Sequence, residues 1–359
     1  MLKKQLLYMI IFLIICPSLV FGKEVDKQVT LIVKASGEAF FQSELLISSE
    51  PMVEAILKAN SIDKIDVLPV SNNYLLLEDG SQFRIYMMDD DGYFYNIHTK
   101  EKIKIASATA KKLKLYFSQL HERHYGALLP WEKVDKILPR YSTFEVTDIE
   151  TGYRFNVQRR AGKNHADVQP LTRKDTKIMK AIYGGKWSWN RKAILVHIND
   201  QTIAASMHGM PHGGGAIVNG FPGHFCIHFK DCVTHRTKSL DLSHQVMIYK
   251  AAGELSSFIK ALNPFDVIQL FFIALNHNDL ELLQYVSDED LDRSFLEEVE
   301  FIRATTTNPT PTIEGSVLFE LPLTYVIKEK GKRETEKTFT FKVKRNTPTE
   351  GWQLETIPK

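Results

Sequence analysis

Apolar residues recur along this chain in two rhythms, and the order of those rhythms divides it. One is the two-residue alternation of half-buried strands; the other is the three-to-four-residue spacing of helices. The run from Leu6 to Phe21 has neither: it is apolar almost throughout, preceded by Lys3 and Lys4, interrupted by Pro17 and followed by Gly22. That is the pattern of a secretory signal peptide over residues 1–22, with an uncleaved N-terminal anchor as the other outcome. Ile14 and Ile15 ahead of Cys16 are not the small residues a lipoprotein attachment site carries.

Over residues 23–127 strand and helix signals alternate. Val29 to Val33 reads as a strand and Pro51 to Ala59 as a short helix with proline in its first turn. Tyr74 to Leu77 and Phe83 to Met88 flank Asp79-Gly80 as a hairpin, and Ala106 to Arg123 places Leu113, Tyr116, Phe117 and Leu120 at helical spacing. Leu128 to Trp131 reads as a linker. Over 140–253 the pattern turns to strands. Thr143 to Ile149 and Tyr153 to Gln158 flank a turn at Glu150 to Gly152, and Ala193 to Ile198 pairs with Thr202 to Ser206 around Asn199-Asp200. A helix from Thr172 to Tyr183 opens on a Thr172-x-x-Asp175 capping pattern, and another from Leu242 to Ala252 stops at Gly253. A Gly-rich loop runs from Gly209 to Gly223.

Over 262–359 helices come first, from Asn263-Pro264 to Leu275 and from Asp279 to Val286. Strands follow at Ser316 to Tyr325, Lys337 to Lys344 and Trp352 to Thr356. That order is similar to the small cone-shaped NTF2-like domains. The expected fold class is therefore α+β: a β-rich central domain between small N-terminal and C-terminal α+β modules.

Composition removes some functions. Lys and Arg total 45 against 43 Asp and Glu, and two of the lysines lie in the leader, so the remainder balances. No basic footprint for nucleic acid exists, and no later segment is long and apolar enough for a membrane span. With the leader, the expected location is extracytoplasmic. Past the leader only Cys226 and Cys232 remain, close enough in sequence to pair. Asp89-Asp90-Asp91-Gly92 lacks the alternating ligands and closing glutamate of a calcium loop and reads as a solvated turn.

The chemistry concentrates in the middle. Eight of the 12 histidines, His165, His197, His208, His212, His224, His228, His235 and His244, fall between positions 165 and 244 with both cysteines. If Phe225 to Phe229 is a strand, His224, Cys226 and His228 share one face, and Phe225, Ile227 and Phe229 point into the core. An imidazole beside a thiol can hold it ionised, so Cys226 is the candidate nucleophile. His208, at the end of a strand, is placed to approach it across the Gly-rich loop.

His208-Gly209, a fourteen-residue spacer, then His224-x-Cys226 followed by apolar Ile227 and polar His228, resembles the signature of the L,D-transpeptidase (YkuD-like) family. Three positions depart from it: Gly223 stands where Ser or Thr is usual, Phe225 replaces a glycine, and His228 replaces Arg or Asn. The resemblance implies a β-rich catalytic domain acting on peptidoglycan stem peptides without a cofactor. It assigns Cys226 as nucleophile, His208 as general base and His224 as the histidine just before the cysteine. The implied reaction is acyl transfer through a thioester, releasing D-alanine. Gly209, His212, His228, His165 and Asp167 are expected in supporting or substrate-binding positions.

Two other functions stay open. A zinc-dependent cell-wall peptidase would use the His/Asp cluster, although Pro211 and the glycines after it prevent His212 from sharing a helix with His208. A non-catalytic cell-wall-binding protein would need no free thiol. His197 is expected as a hydrogen-bonded core histidine, and His235 and His244 as surface or capping residues. His165 and Asp167 fit either a structural turn or a dyad. Trp187 and Trp189 alternate as if on one strand face, for packing or for glycan stacking. Gly213 to Gly215 is not a phosphate loop, because no Lys-Ser/Thr follows.

Overall fold

The computed structural model describes residues 27–80, 82–234, 238–287, 293–305 and 316–358. The expected leader, with Cys16, and His235 lie outside them. The protein is mixed α+β and mostly sheet, divided into two compact units, one ending at His124 and the other running Tyr125–Lys359.

The first unit contains β1 (Gln28–Lys34), β2 (Gln42–Ile47), α1 (Glu50–Leu57), β3 (Asn60–Lys64), β4 (Asn73–Asp79), β5 (Gln82–Met88), β6 (Phe94–Asn96), β7 (Glu101–Lys104) and α2 (Ser107–His124). Its strands form one antiparallel sheet in the order β2-β1-β4-β5-β6-β7-β3. Strand β1 alternates as its sequence does, with Val29, Leu31 and Val33 fully buried, and α2 packs Leu113, Phe117 and Leu120 inward. The expected hairpin is β4–β5, and Asp89 closes the acidic turn by accepting from the backbone N–H of Tyr93 (2.8 Å) and the hydroxyl of Tyr95 (2.7 Å).

The second unit begins with α3 (Trp131–Ile137), which starts inside the segment read as a linker. Then come β8 (Thr143–Asp148), β9 (Arg154–Ala161), β10 (Ala166–Pro170), α4 (Arg173–Ile182), β11 (Arg191–Ile198), β12 (Gln201–His208), β13 (Phe225–His228) and α5 (Leu242–Ala251). The six strands close into an antiparallel barrel in the order β10-β13-β12-β11-β8-β9. Closure leaves no free sheet edge. The barrel is filled by Phe144, Val146, Phe155, Val157, Val168, Ile194, Val196, Ile203, Phe225 and Ile227.

Local chemistry matches the pattern. Asn199 (φ 47°) and Asp200 (φ 58°) make the left-handed turn that β11 and β12 need. Thr172 and Asp175 form a reciprocal capping box on α4. Trp187 and Trp189 are the exception: no strand forms there, Trp187 packs edge-on against Phe221, and Trp189 is half-exposed.

The remaining elements are α6 (Leu255–Lys260), α7 (Pro264–His277), α8 (Leu280–Gln284), α9 (Arg293–Glu298), β14 (Val299–Ala304), β15 (Leu318–Glu329), β16 (Thr335–Lys344) and β17 (Gln353–Leu354). The last four strands form a meander against which α7 packs, through Phe271, Phe272, Tyr325 and Phe341. Asn263 caps α7 ahead of Pro264, as the sequence signals. No helix among the described residues is long and apolar enough to cross a membrane.

Candidate active site

Strand β13 does what its alternation predicts. Phe225, Ile227 and Phe229 are fully buried in the barrel, while Cys226 and His228 face the other way. That second face is covered too: Cys226 is 6 % exposed and His228 4 %. Strand β10 lies beside it with Asp167 opposite Cys226. This register brings Asp167 Oδ1 to 3.5 Å from Cys226 Sγ.

The imidazole that meets the sulfur is His212, not His208. His212 Nε2 lies 3.4 Å from Cys226 Sγ, and its Nδ1 donates to the carbonyl of Met210 (3.2 Å). Because Nδ1 carries the proton, Nε2 presents a lone pair to the thiol. His212 reaches this position through an isolated antiparallel bridge to His224, with backbone bonds of 3.0 and 2.9 Å. Two glycines permit that bridge. Gly213 (φ 58°) passes so close to the His224 ring that a Cβ would sit 2.4 Å from it; at Gly223 (φ 129°) a Cβ would lie 2.5 Å from the His212 carbonyl. Glycine at 223, a departure from the family signature, is thus demanded by the backbone.

His208 ends β12 with its ring among Trp189, His212 and His244, and makes no hydrogen bond to Cys226 among the described residues. His212 is therefore the ring in hydrogen-bonding reach of the sulfur, although ligand atoms of His208, His212 and Cys226 all lie within 4.8 Å of one another. Gly209 serves packing: its N–H donates to the Ser188 carbonyl (2.8 Å), and its Cα lies against the Tyr183 ring. His224 donates from Nδ1 to the Gly214 carbonyl (3.0 Å) and holds Nε2 4.0 Å from Asp167 Oδ1. His165 donates from Nδ1 to the Val233 carbonyl (3.2 Å) and places Nε2 3.2 Å from the same oxygen. His165 and Asp167 thus belong to the cluster rather than to a remote turn.

His228 is sandwiched between His165 (ring centroids 4.5 Å apart) and His244 (3.8 Å). His244, expected as a surface or capping residue, lies in the capped first turn of α5, where its N–H donates to Asp241 (3.1 Å), but its ring is 2 % exposed and its Nδ1 is hydrogen-bonded with Ser206 Oγ (2.9 Å). Helix α5 packs against β11 and β12 and carries this ring inward. His197 is the core histidine its strand suggested, bonded to Thr147 (2.9 Å) and Thr202 (3.1 Å). Both cysteines are free thiols, and Cys232 Sγ accepts from the Phe229 N–H (3.2 Å).

Electrostatically, burial favours the neutral thiol of Cys226 and the neutral rings of His208, His212 and His228 beside one carboxylate. Burial, and then the neighbouring Asp167, push the Cys226 thiol well above its usual range. Burial lowers His212, and lowers His208 to about 2 and His228 to about 3. Asp167 moves the opposite way: burial favours its neutral form, but the His165 bond and the charges of His165 and His224 outweigh that and lower it.

Sequence reasoning missed the residue that holds the loop. Gln169, 1 % exposed, donates to the Gly223 carbonyl (2.9 Å) and accepts from the N–H groups of Ala216 (2.9 Å) and Ile217 (3.3 Å). Asn219 Nδ2 donates to the Pro170 carbonyl, and Asn219 Oδ1 accepts from Phe221 N–H (2.8 Å). The available signal was alternation on β10, which puts Asp167 and Gln169 on one face. The nearly buried sulfur is bordered by the more exposed His212, His224 and Asp167, with exposed Gly213 to Gly215 and Trp189 nearby. Compared with protein-family models, curated proteins and solved structures, the chain matches none.

Proposed function

We propose that the barrel is the catalytic domain of an exported, cysteine-dependent acyltransferase of the L,D-transpeptidase type, acting on peptidoglycan stem peptides. The observation that carries this reading is the 3.4 Å approach of His212 Nε2 to Cys226 Sγ, with the tautomer set by the Met210 carbonyl. The leader pattern of residues 1–22 supports export. The His-Gly, spacer, His-x-Cys string supports the family, and His212-Gly213 supplies that string with a second His-Gly pair.

The chemistry follows from the proton positions. A buried neutral thiol is activated as it reacts: His212 Nε2 takes the S–H proton while Sγ bonds to the substrate carbonyl carbon. The carbonyl electron pair moves to oxygen and then re-forms the carbonyl, expelling the terminal D-alanine amine, which takes the proton from His212. A second stem amine then attacks the thioester, His212 accepts its proton and returns it to the departing sulfur. Asp167 favours the charged form of His212, so it stabilises the transient imidazolium without accepting the proton itself.

The test is D-alanine release from a stem tetrapeptide. Cys226→Ala should abolish it and His212→Ala should slow it by about 10²–10⁴-fold, with circular dichroism unchanged. Release by Cys226→Ala at the wild-type rate ends the proposal.

A further inference from the structure

The proton transfers above pass through neither His165 nor His228, yet both rings bring nitrogens close to the sulfur. Ring nitrogens of His165 and His228 and the Sγ of Cys226 lie within 4.8 Å of one another. Asp167 Oδ1 is 3.2 Å from His165 Nε2 and 3.5 Å from Cys226 Sγ. Ligands about 2.0–2.3 Å from a tetrahedral zinc stand about 3.3–3.8 Å apart, so the two Asp167 separations match such edges, and the His165, Cys226 and His228 atoms need draw together by no more than about 1 Å to do so. The outer partners fit as well: His165 Nδ1 is bound to the Val233 carbonyl, the contact that orients a ligating imidazole and leaves Nε2 directed inward. His228 is 4 % exposed, yet its Nδ1 has no hydrogen-bond partner among the described residues. An orphaned ring nitrogen in so buried a place signals a ligand.

We infer that His165, Cys226 and His228 hold a zinc ion that takes the nucleophilic sulfur as one of its ligands, with the Asp167 carboxylate beside it. On binding, the thiol loses its proton to solvent. The thiolate and the Asp167 carboxylate together balance the two charges of the ion, so a neutral unit is buried. A sulfur held on the ion is no longer a free nucleophile, so the site stores and silences it. A chelating environment, or competition for the metal, frees it. This regulatory consequence rests on the acyl-transfer reading; the binding itself does not.

The experiment uses the full chain, purified metal-free under reducing conditions and titrated with Zn²⁺ and separately with Co²⁺. About one zinc per chain should bind, and stoichiometric zinc should slow alkylation of Cys226 about tenfold or more, reversed by chelator. Co²⁺ should give thiolate-to-cobalt charge-transfer absorption that Cys226→Ser removes. His165→Gln and His228→Gln should still be alkylated without metal but lose protection by zinc. Protection that persists in both variants, or a Co²⁺ complex lacking the thiolate band in the wild type, overturns the inference. The spectroscopic result needs no variant other than the sulfur substitution, so misfolding of the histidine variants does not protect the idea. A thiolate band without any acyl adduct on Cys226 would end the acyl-transfer reading and leave the metal site standing; an adduct without the band would do the reverse.

Discussion

Cys226 has one proton and two acceptors within reach, His212 Nε2 at 3.4 Å and Asp167 Oδ1 at 3.5 Å. Only the imidazole can take that proton and give it to a leaving amine, because His165, His224 and the sulfur already engage a carboxylate whose acid range is lowered. His212→Ala should therefore slow acylation of Cys226 by about 10²–10⁴-fold. His208→Asn, which alters a ring that makes no hydrogen bond to the sulfur, should change it less than about tenfold by the same measure. The opposite ranking in rapid-quench mass measurements would return the base role to His208. The alternation of Phe225 to Phe229 made the nucleophile legible from the sequence. The choice between His208 and His212 was not legible, since each precedes a glycine and only the bridge from His212 to His224 decides which ring arrives. Gly223 carries a second residue-scale expectation. Gly223→Ser forces a side chain at φ 129° against the His212 carbonyl, and should lower unfolding free energy by about 1–3 kcal/mol in urea titration. A stability equal to wild type would mean that the bridge to His212 shifts freely.

The loop at 209–223 and strand β10 act as a pair of elements. A short strand with one buried amide fixes the loop at Gly223, Ala216 and Ile217. Gln169→Leu leaves those backbone groups without their partner and should cost about 1–3 kcal/mol. Hydrogen exchange should quicken at Ala216 and Ile217 first, ahead of the barrel strands; uniform exchange across the unit would contradict a local role. Strand β10 escaped the sequence reading because it spans only Ala166–Pro170, and its polar positions looked like a motif rather than one face of a strand. By contrast, the capping box of α4 and the Asn199-Asp200 turn were readable, since both are set by neighbours in sequence. The inward turn of the His244 ring was not legible because α5 is buried on nearly every side, which leaves no apolar stripe to say which face turns inward.

Within the Tyr125–Lys359 unit, one buried cation ties separate parts together. Lys250, near the end of α5, pairs with Glu150 (2.6 Å) in the turn between β8 and β9 and with Asp279 (3.3 Å), the cap of α8. Burial favours neutral Lys250, but Asp279 and Glu150 outweigh it and raise the group well above its usual range. Asp279 is lowered: burial opposes its charge, and Lys250 overcomes that. The sign follows from linkage. The Asp279 contribution is complete above the unfolded carboxylate range near ~3.9 and is lost as pH falls through its lower folded value. The Lys250 contribution is complete below ~10.4 and is lost only as pH rises through its raised value. Lys250→Ala should cost about 3–5 kcal/mol at neutral pH and flatten the acid limb of the stability profile. An unchanged acid limb in urea titrations would dissociate Asp279 from this network. Nothing in the local pattern announces such a triad, because its members lie on three elements far apart in sequence; the α+β class and the strand-rich centre, set by local alternation, were readable.

The most direct measurement is intact mass of the metal-free protein quenched during turnover of a stem tetrapeptide, followed by peptide mapping. The proposed mechanism requires a transient adduct of the tetrapeptide lacking its terminal D-alanine, localised to Cys226 and absent from Cys226→Ala. Turnover with the sulfur unmodified throughout, or an adduct on any other residue, would contradict it.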